Sequence, residues 1–322
     1  MKGICLGVPD TVDYPLFLRV VEEVLPAAGY DTLVLLVRYQ FPFRSHPNVA
    51  PANALAPAQV REIAAACRRQ RIRLIPKMNL LGHQSGKEPG TLDGLLRAYP
   101  EFDETPDLPT VRYCRSLCPR HPEVADVVRG LMDEMLDVFQ ADSLHVGCDE
   151  VFEIGHCPRC RGIPTATLFA DWINTLHAHL VGKRHVEMLM WSDRLLDGEA
   201  TGYGEWEAST NQTHPAVDLI PRDIVCCDWH YGARAEYPSV PFLTGKGFRT
   251  VVCPWRDVKA TRALLDYAGT VRTDKLLGVL QTSWYASNRI CRALLDAPGC
   301  GDEEARQVAA SFKVVAEHAA RT

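Results

Sequence analysis

Two successive carboxylates, Asp149 and Glu150, end the apolar run Ser143-Leu-His145-Val-Gly147-Cys148. Neighbouring negative charges raise one of the two pKa values, so one acid can keep its proton near neutrality while the other stays ionised. That division of labour serves the cleavage of a glycosidic bond. An Asp-Glu dipeptide can equally cap a helix or solvate a loop. Other short apolar runs end in a similar selection of residues: Asn79 and His83, Trp191 and Asp193, Asp228, Trp229 and Tyr231, then Trp255, then Trp284. Four tryptophans at such positions can wall the apolar face of a sugar while carboxylates and amides meet its hydroxyls. Large aromatics also cap barrel cores, and a histidine in apolar surroundings is as readily a satisfied core residue as a ligand.

Elements that would place these residues in one pocket are legible along the chain. Runs at Ile4–Val8, Thr32–Val37, Arg73–Pro76, Ser143–Gly147, Val186–Trp191, Ile224–Trp229, Thr250–Pro254 and Gly278–Ser283 are continuously apolar, as strands buried on both faces are. Helical faces alternate with them: Val60, Ile63, Ala64 and Cys67; Val124, Val127, Val128 and Leu131; Phe169, Trp172, Ile173 and Leu176; Val308, Phe312, Val315 and Ala319. Such strand–helix units in 322 residues predict an α/β fold, a single (β/α)8 TIM barrel over 1–322, with its active site at the carboxyl ends of the strands. The long segments Tyr39–Pro57 and Lys77–Pro122 start at that rim.

Composition narrows the partners. With 35 basic and 40 acidic side chains the net charge is −5, too balanced for a nucleic-acid or membrane-surface protein, and no apolar run reaches a membrane span. The expected ligand is small or neutral, and the oligomeric state is left open. The chain starts without a cleavable apolar stretch, and its 12 cysteines are scattered, several of them inside apolar runs (Cys5, Cys226, Cys227, Cys253), which predicts a reducing, cytoplasmic setting. Cys157 and Cys160, with Cys114 and Cys118 on the preceding loop, could close a structural zinc site; a disulfide or free thiols are the alternatives.

The motifs resemble a known family. His145-Val-Gly147-Cys148-Asp149-Glu150 resembles the His-Xaa-Gly-Gly-Asp-Glu signature of family 20 glycoside hydrolases, the β-N-acetylhexosaminidases. Leu74-Ile-Pro76-Lys-Met-Asn79-Leu-Leu-Gly82-His83 is similar to that family's third-strand segment. Met190-Trp191-Ser-Asp193, Pro254-Trp255 and Ser283-Trp284 match later strands. Gly147-Cys-Asp-Glu-Val151-Phe152 and Phe41-Pro42-Phe43 resemble the hexosaminidase D-like branch.

The resemblance implies a retaining exo-β-N-acetylhexosaminidase that removes terminal GlcNAc or GalNAc from a glycan or glycoconjugate, without a cofactor for catalysis. The substrate's own acetamide would attack, passing through an oxazolinium ion. Carried over by position, Glu150 is the general acid and base, and Asp149 orients the acetamide. His83 and His145 steer the carboxylates, Trp191, Trp229, Trp255 and Trp284 wall the sugar, and Asn79, Asp193, Asp228 and Tyr231 complete the binding set. The sequence departs from the family in lacking an arginine after the first strand, where Gly7-Val8-Pro9-Asp10 stands, and a glutamate after Trp284, where Tyr285 stands. Arg38 or Asp10 could substitute for the arginine. Asn79 replaces an aspartate, and the customary amino-terminal accessory domain is not expected. These departures keep two rivals in view: a catalytically silent barrel that binds N-acetyl sugars, and a metal hydrolase using His83, His145, Asp149 and Asp193.

Overall fold

The computed structural model describes residues 1–86, 91–297 and 302–318. Eight parallel strands follow in chain order and close on themselves: β1 Lys2–Gly7, β2 Thr32–Leu36, β3 Arg73–Lys77, β4 Ser143–His145, β5 Glu187–Trp191, β6 Val225–Trp229, β7 Arg249–Cys253 and β8 Leu276–Gln281. Closure runs through the register Lys2↔Val279, Gly3↔Leu280 and Ile4↔Gln281. The expected (β/α)8 barrel is the fold, with strand ends displaced by one or two residues. β4 stops at His145 instead of reaching Gly147 because the backbone turns left-handed there, with φ of 72° at Gly147 and 64° at Cys148.

Apolar runs on both faces follow from the two cores these strands separate. Inside the barrel, Cys5, Val34, Ile75, Leu189, Cys227 and Val251 fill the axis below Trp191 and Trp229. Outside, Ile4, Leu6, Leu33, Leu35 and Cys226 meet the helices. Thiols serve here as small hydrophobes, and burial pushes Cys5 up to about 12, which keeps it neutral. Helix Pro57–Arg69 buries Val60, Ile63, Ala64 and Cys67, and helix Val124–Phe139 buries Val124, Val127, Val128 and Leu131. Helix Thr165–His177 buries Phe169, Trp172, Ile173 and Leu176, and helix Glu303–His318 buries Val308, Phe312 and Val315. Ala319, assigned to that last face, lies outside the described residues. No helix among them is long and apolar enough to cross a membrane.

Both long segments are tied down at the carboxyl rim. Tyr39 donates its hydroxyl to the Asn79 carbonyl (3.0 Å) and to Gln84 Oε1 (2.7 Å), linking the stretch after β2 to the stretch after β3. Arg115 holds the second stretch in a loop through Asp103 Oδ2, the Thr105 carbonyl and the Leu108 carbonyl, each at 2.7 Å. Trp172, which is 1% exposed, donates Nε1 to the Leu80 carbonyl at 2.9 Å, so a core helix supports the turn that leads to His83. Trp172→Ala is expected to cost about 3–5 kcal/mol through the cavity it leaves. Urea unfolding of the purified variant measures this.

Candidate active site

A cavity of about 530 Å³ opens at the carboxyl ends of the strands. Asp149 and Glu150 reach it because the chain leaving β4 makes a run of left-handed turns, with φ of 72° at Gly147, 64° at Cys148 and 49° at Glu150. Left-handed backbone costs a residue with a Cβ roughly 1–2 kcal/mol, so the surroundings must hold it. They do so by close approach. A Cβ on Gly147 would stand 2.8 Å from the Met78 carbonyl oxygen, and one on Gly82 would stand 2.7 Å from that of Asp149. Only glycine lets the segments after β3 and β4 come this near. From the other side Asp193 Oδ2 accepts the Glu150 N–H at 2.9 Å and the Arg194 Nε at 2.7 Å. Arg194 in turn donates to the carbonyls of Glu205, Trp206 and Ala208, which locks this buried pair.

One imidazole joins the two carboxylates: His83 Nε2 lies 3.1 Å from Asp149 Oδ2 and 3.1 Å from Glu150 Oε2. Burial works against a charged His83, but the Asp149 carboxylate, with Cys114 and Glu150 beside it, raises its pKa well above the ordinary histidine value. Burial likewise opposes an ionised Asp149, and the charges of His83 and Lys77 overcome it, holding the carboxyl well below the usual range. Lys77 is itself pulled down by burial, against the attraction of Asp149, and donates Nζ to Asn79 Oδ1 at 2.7 Å. Asn79 therefore gives a buried lysine a neutral acceptor and leaves that charge to act on Asp149.

The walls are aromatic. Trp191, Trp229, Trp255, Trp284 and Tyr231 line the cavity with Asn79, His83, Asp149 and Glu150. Trp284 donates Nε1 to the Tyr231 hydroxyl at 2.8 Å, fixing one side. Among the described residues, five polar atoms of the lining groups are buried without a hydrogen-bond partner: Arg38 Nε, His83 Nε2, Trp191 Nε1, Trp255 Nε1 and Asp149 Oδ1. Buried polar groups are rarely left so. The Arg38 and tryptophan donors, with His83 and one anionic acceptor around an aromatic box, suit a hydroxylated ligand that also carries an N–H.

Three residues expected to touch substrate stand behind the lining instead. His145 is fully buried beneath Trp191, with ring centroids 4.5 Å apart. Burial and Lys77 drive its pKa well below the ordinary value, and its Nδ1 accepts the Gly147 N–H at 3.0 Å, so it supports the turn as a neutral ring. Asp193 is spent on Glu150 and Arg194, with Trp229 Nε1 at 3.3 Å from its Oδ1. Asp228 points out of the barrel, since its neighbours Cys227 and Trp229 point in, and it accepts from Ser192 (3.0 Å) and Ser239 (2.6 Å) while lying 3.2 Å from His230. The metal-hydrolase grouping does not form: His83, Asp149 and Glu150 converge, and His145 and Asp193 are not with them.

Other lining residues escaped sequence reasoning. Lys77 and Tyr113 line the cavity, as do Tyr285, noted in the sequence as following Trp284, and Arg38, considered only as a substitute for the missing arginine. Tyr113 arrives from the middle of a long loop, edge-on to His83 at 5.6 Å, and no local pattern marks it. The cysteine grouping also needs correction. Cys118, Cys157 and Cys160 come together, but the fourth member is Glu104, while Cys114 lies against His83. Cys114 meets His83 and Cys118 meets Cys157 and Cys160, so close spacing in sequence does not make them one cluster.

Residues 40–276 match the family model described as glycosyl hydrolase family 20, catalytic domain. The chain is 22% identical to bovine (Bos taurus) hexosaminidase D over 86% of its own length and 81% of that protein's. It is 25% identical to human (Homo sapiens) hexosaminidase D over 86% of its length and 58% of the human chain. Among solved structures, the Flavobacterium johnsoniae chitobiase superposes over 99% of this chain and 51% of its own with a TM-score of 0.68 at 14% identity. The Vibrio harveyi exo-β-N-acetylglucosaminidase, solved in complex with N-acetylglucosamine, gives 0.60 at 11% identity over 99% of this chain and 58% of its own. The protein belongs to glycosyl hydrolase family 20, a glycoside hydrolase of the β-N-acetylhexosaminidase type.

The bridging histidine makes a prediction about stability. Its raised pKa contributes stability that is fully present below the unfolded value of about 6.5 and is lost as pH rises through the higher folded value. Asp149, shifted the other way, contributes above its unfolded value of about 3.9 and loses that contribution as pH falls through its folded one. The gap in urea midpoint between the native protein and His83→Gln should therefore be widest at mildly acidic pH, between about 4 and 6.5, and close on the alkaline side.

Proposed function

We propose that the protein is a retaining exo-β-N-acetylhexosaminidase that removes terminal β-linked GlcNAc or GalNAc by substrate-assisted catalysis. The observation that carries this reading is the carboxylate pair bridged by His83, with the buried Asp149 Oδ1 unpartnered in a tryptophan-walled cavity. Glu150 gives its proton to the glycosidic oxygen as the C1–O bond breaks. The substrate's acetamide oxygen closes on C1, forming an oxazolinium ion on the same sugar. Asp149 accepts the acetamide N–H and balances the positive charge that develops there, which an ionised carboxylate does and an amide does not. Water then adds to C1, giving its proton to Glu150, and the two inversions leave the anomeric configuration retained.

An enzyme nucleophile would need a further carboxylate across the sugar. Asp149 and Glu150 are the carboxylates of the cavity lining, and Asp193 and Asp228 are turned into ion pairs and hydrogen bonds behind it. That supports attack by the substrate's own amide. The Vibrio enzyme solved with N-acetylglucosamine shares this fold and extends the same expectation to the sugar class. Arg38, at the end of β2 with its Nε unpartnered, offers the charged donor for outer hydroxyls that the first strand lacks.

Aryl β-glycosides with and without the 2-acetamido group test the reading. Only the acetamido substrates should turn over; comparable hydrolysis of plain β-glucosides would overturn it. Glu150→Gln should lower kcat by roughly 10²–10⁴, most severely with poor leaving groups, as loss of a general acid does. Asp149→Asn should also lose most of its activity, leaving group notwithstanding. Arg38→Ala should lower kcat/KM by about 10–100-fold, the loss of a hydrogen bond from a charged donor, and steady-state kinetics with the same substrates measures it.

A further inference from the structure

Away from the cavity, the segments that follow β3 and β4 meet at a second cluster. The Cys118 sulfur lies 3.4 Å from that of Cys157 and 3.7 Å from that of Cys160. With a carboxylate oxygen of Glu104 they form a group whose ligand atoms all lie within 4.8 Å of one another. All four side chains are buried, at most 3% exposed. A tetrahedral zinc ion with Zn–S bonds of about 2.3 Å sets its sulfurs about 3.8 Å apart, close to the spacing found.

Glu104 supplies an independent observation. Its Oε1 accepts the N–H groups of Gly155 (2.7 Å) and His156 (2.9 Å), while its Oε2 is buried without a hydrogen-bond partner. A fully buried carboxylate among thiols, which are weak donors, lacks the positive charge that burial demands. A disulfide between Cys118 and Cys157 would use two thiols and leave Cys160 and Glu104 as they stand. A dication answers all four groups.

We infer that Glu104, Cys118, Cys157 and Cys160 form a tetrahedral site for a structural zinc ion. Each thiol passes its proton to solvent as its sulfur bonds to the metal, and the glutamate binds as the carboxylate. Soft thiolates select zinc over magnesium or calcium, and four protein ligands leave no position for water, so the ion has no part in hydrolysis. The turn Cys157-Pro-Arg-Cys160 is already wound for the purpose, the N–H groups of Cys160 and Arg161 both bonding the Cys157 carbonyl at 3.0 and 2.9 Å. The ion would fasten the loop that carries Tyr113 to the loop that begins at Glu150.

Elemental analysis of the full chain, purified under reducing conditions without chelator, should find one zinc ion per protein. Replacement by cobalt should produce thiolate-to-cobalt charge-transfer absorption. Cys118→Ser and Cys160→Ser should lose most of the bound zinc. Glu104→Gln, which keeps an oxygen for the Gly155 and His156 N–H groups, should bind zinc at least about tenfold more weakly in competition with a chelator while retaining its far-ultraviolet spectrum. Should the cysteine variants fail to fold, the metal content of the native protein and the Glu104→Gln competition still decide. A folded native protein without zinc overturns the site, whether its thiols are free or its mass is two hydrogens short because of a disulfide.

Discussion

The His83 imidazole held between Asp149 and Glu150 is the interaction on which the catalytic face depends. His83 stands 3.1 Å from both Asp149 and Glu150 in a largely buried setting, where removing one partner of an ion pair typically costs about 3–5 kcal/mol. A domain's net stability is only about 5–15 kcal/mol, so the geometry around this triad is tightly determined. Gly82 admits the Asp149 carbonyl, Gly147 admits the Met78 carbonyl, and Asp193 fixes the Glu150 N–H. Each device brings the segments after β3 and β4 closer than ordinary side chains would allow. The strained backbone at His83, Cys148 and Glu150 is held in place by that approach.

Adjacent residues in sequence acquire different surroundings through the same turns. Asp149 faces Lys77 and His83, two buried positive charges, and is ionised against the pull of burial. Lys77 is held by its hydrogen bond to Asn79 in the cavity wall, where it shapes the field around Asp149. An aspartate at position 79 would pair with the lysine and weaken its hold on Asp149, so the asparagine and the lysine are best understood together. The substitution that distinguishes this chain from the family's third-strand motif has an electrostatic partner two residues earlier.

The barrel was legible because parallel strands buried on both faces are continuously apolar, and each of the eight runs overlaps a strand. The tryptophans were legible for a related reason: a bulky aromatic at the end of such a run, as at Trp191 and Trp229, points along the barrel axis toward the rim. Position along a strand does not reveal depth, however, and His145 and Asp193 lie below the surface that the sequence assigned them to. Asp228 was misplaced although the two-residue alternation of a strand was sufficient to turn it outward. Tyr113 and Glu104 were beyond reach for another reason. Each arrives from a loop whose path is set by packing against distant segments, as when Arg115 and Tyr39 pin the stretches on either side. Spacing within a loop also grouped Cys114 with Cys118, where the fold sends one thiol to His83 and the other to Glu104.

The role proposed for Arg38 would move the function of the arginine missing after β1 to another strand. All eight strand ends converge on one rim, so a charged donor from β2 can reach the space that one from β1 would occupy. Arg38 does so at a cost, since its backbone adopts φ of 49° and its charge lies near Lys77, which it pushes further toward neutrality. The attraction of Asp149 opposes that push on Lys77. The two cations are engaged unequally: Lys77 is committed to Asn79, while the Nε of Arg38 remains available. Under the proposed function, that free Nε is what Arg38 would offer to a sugar hydroxyl.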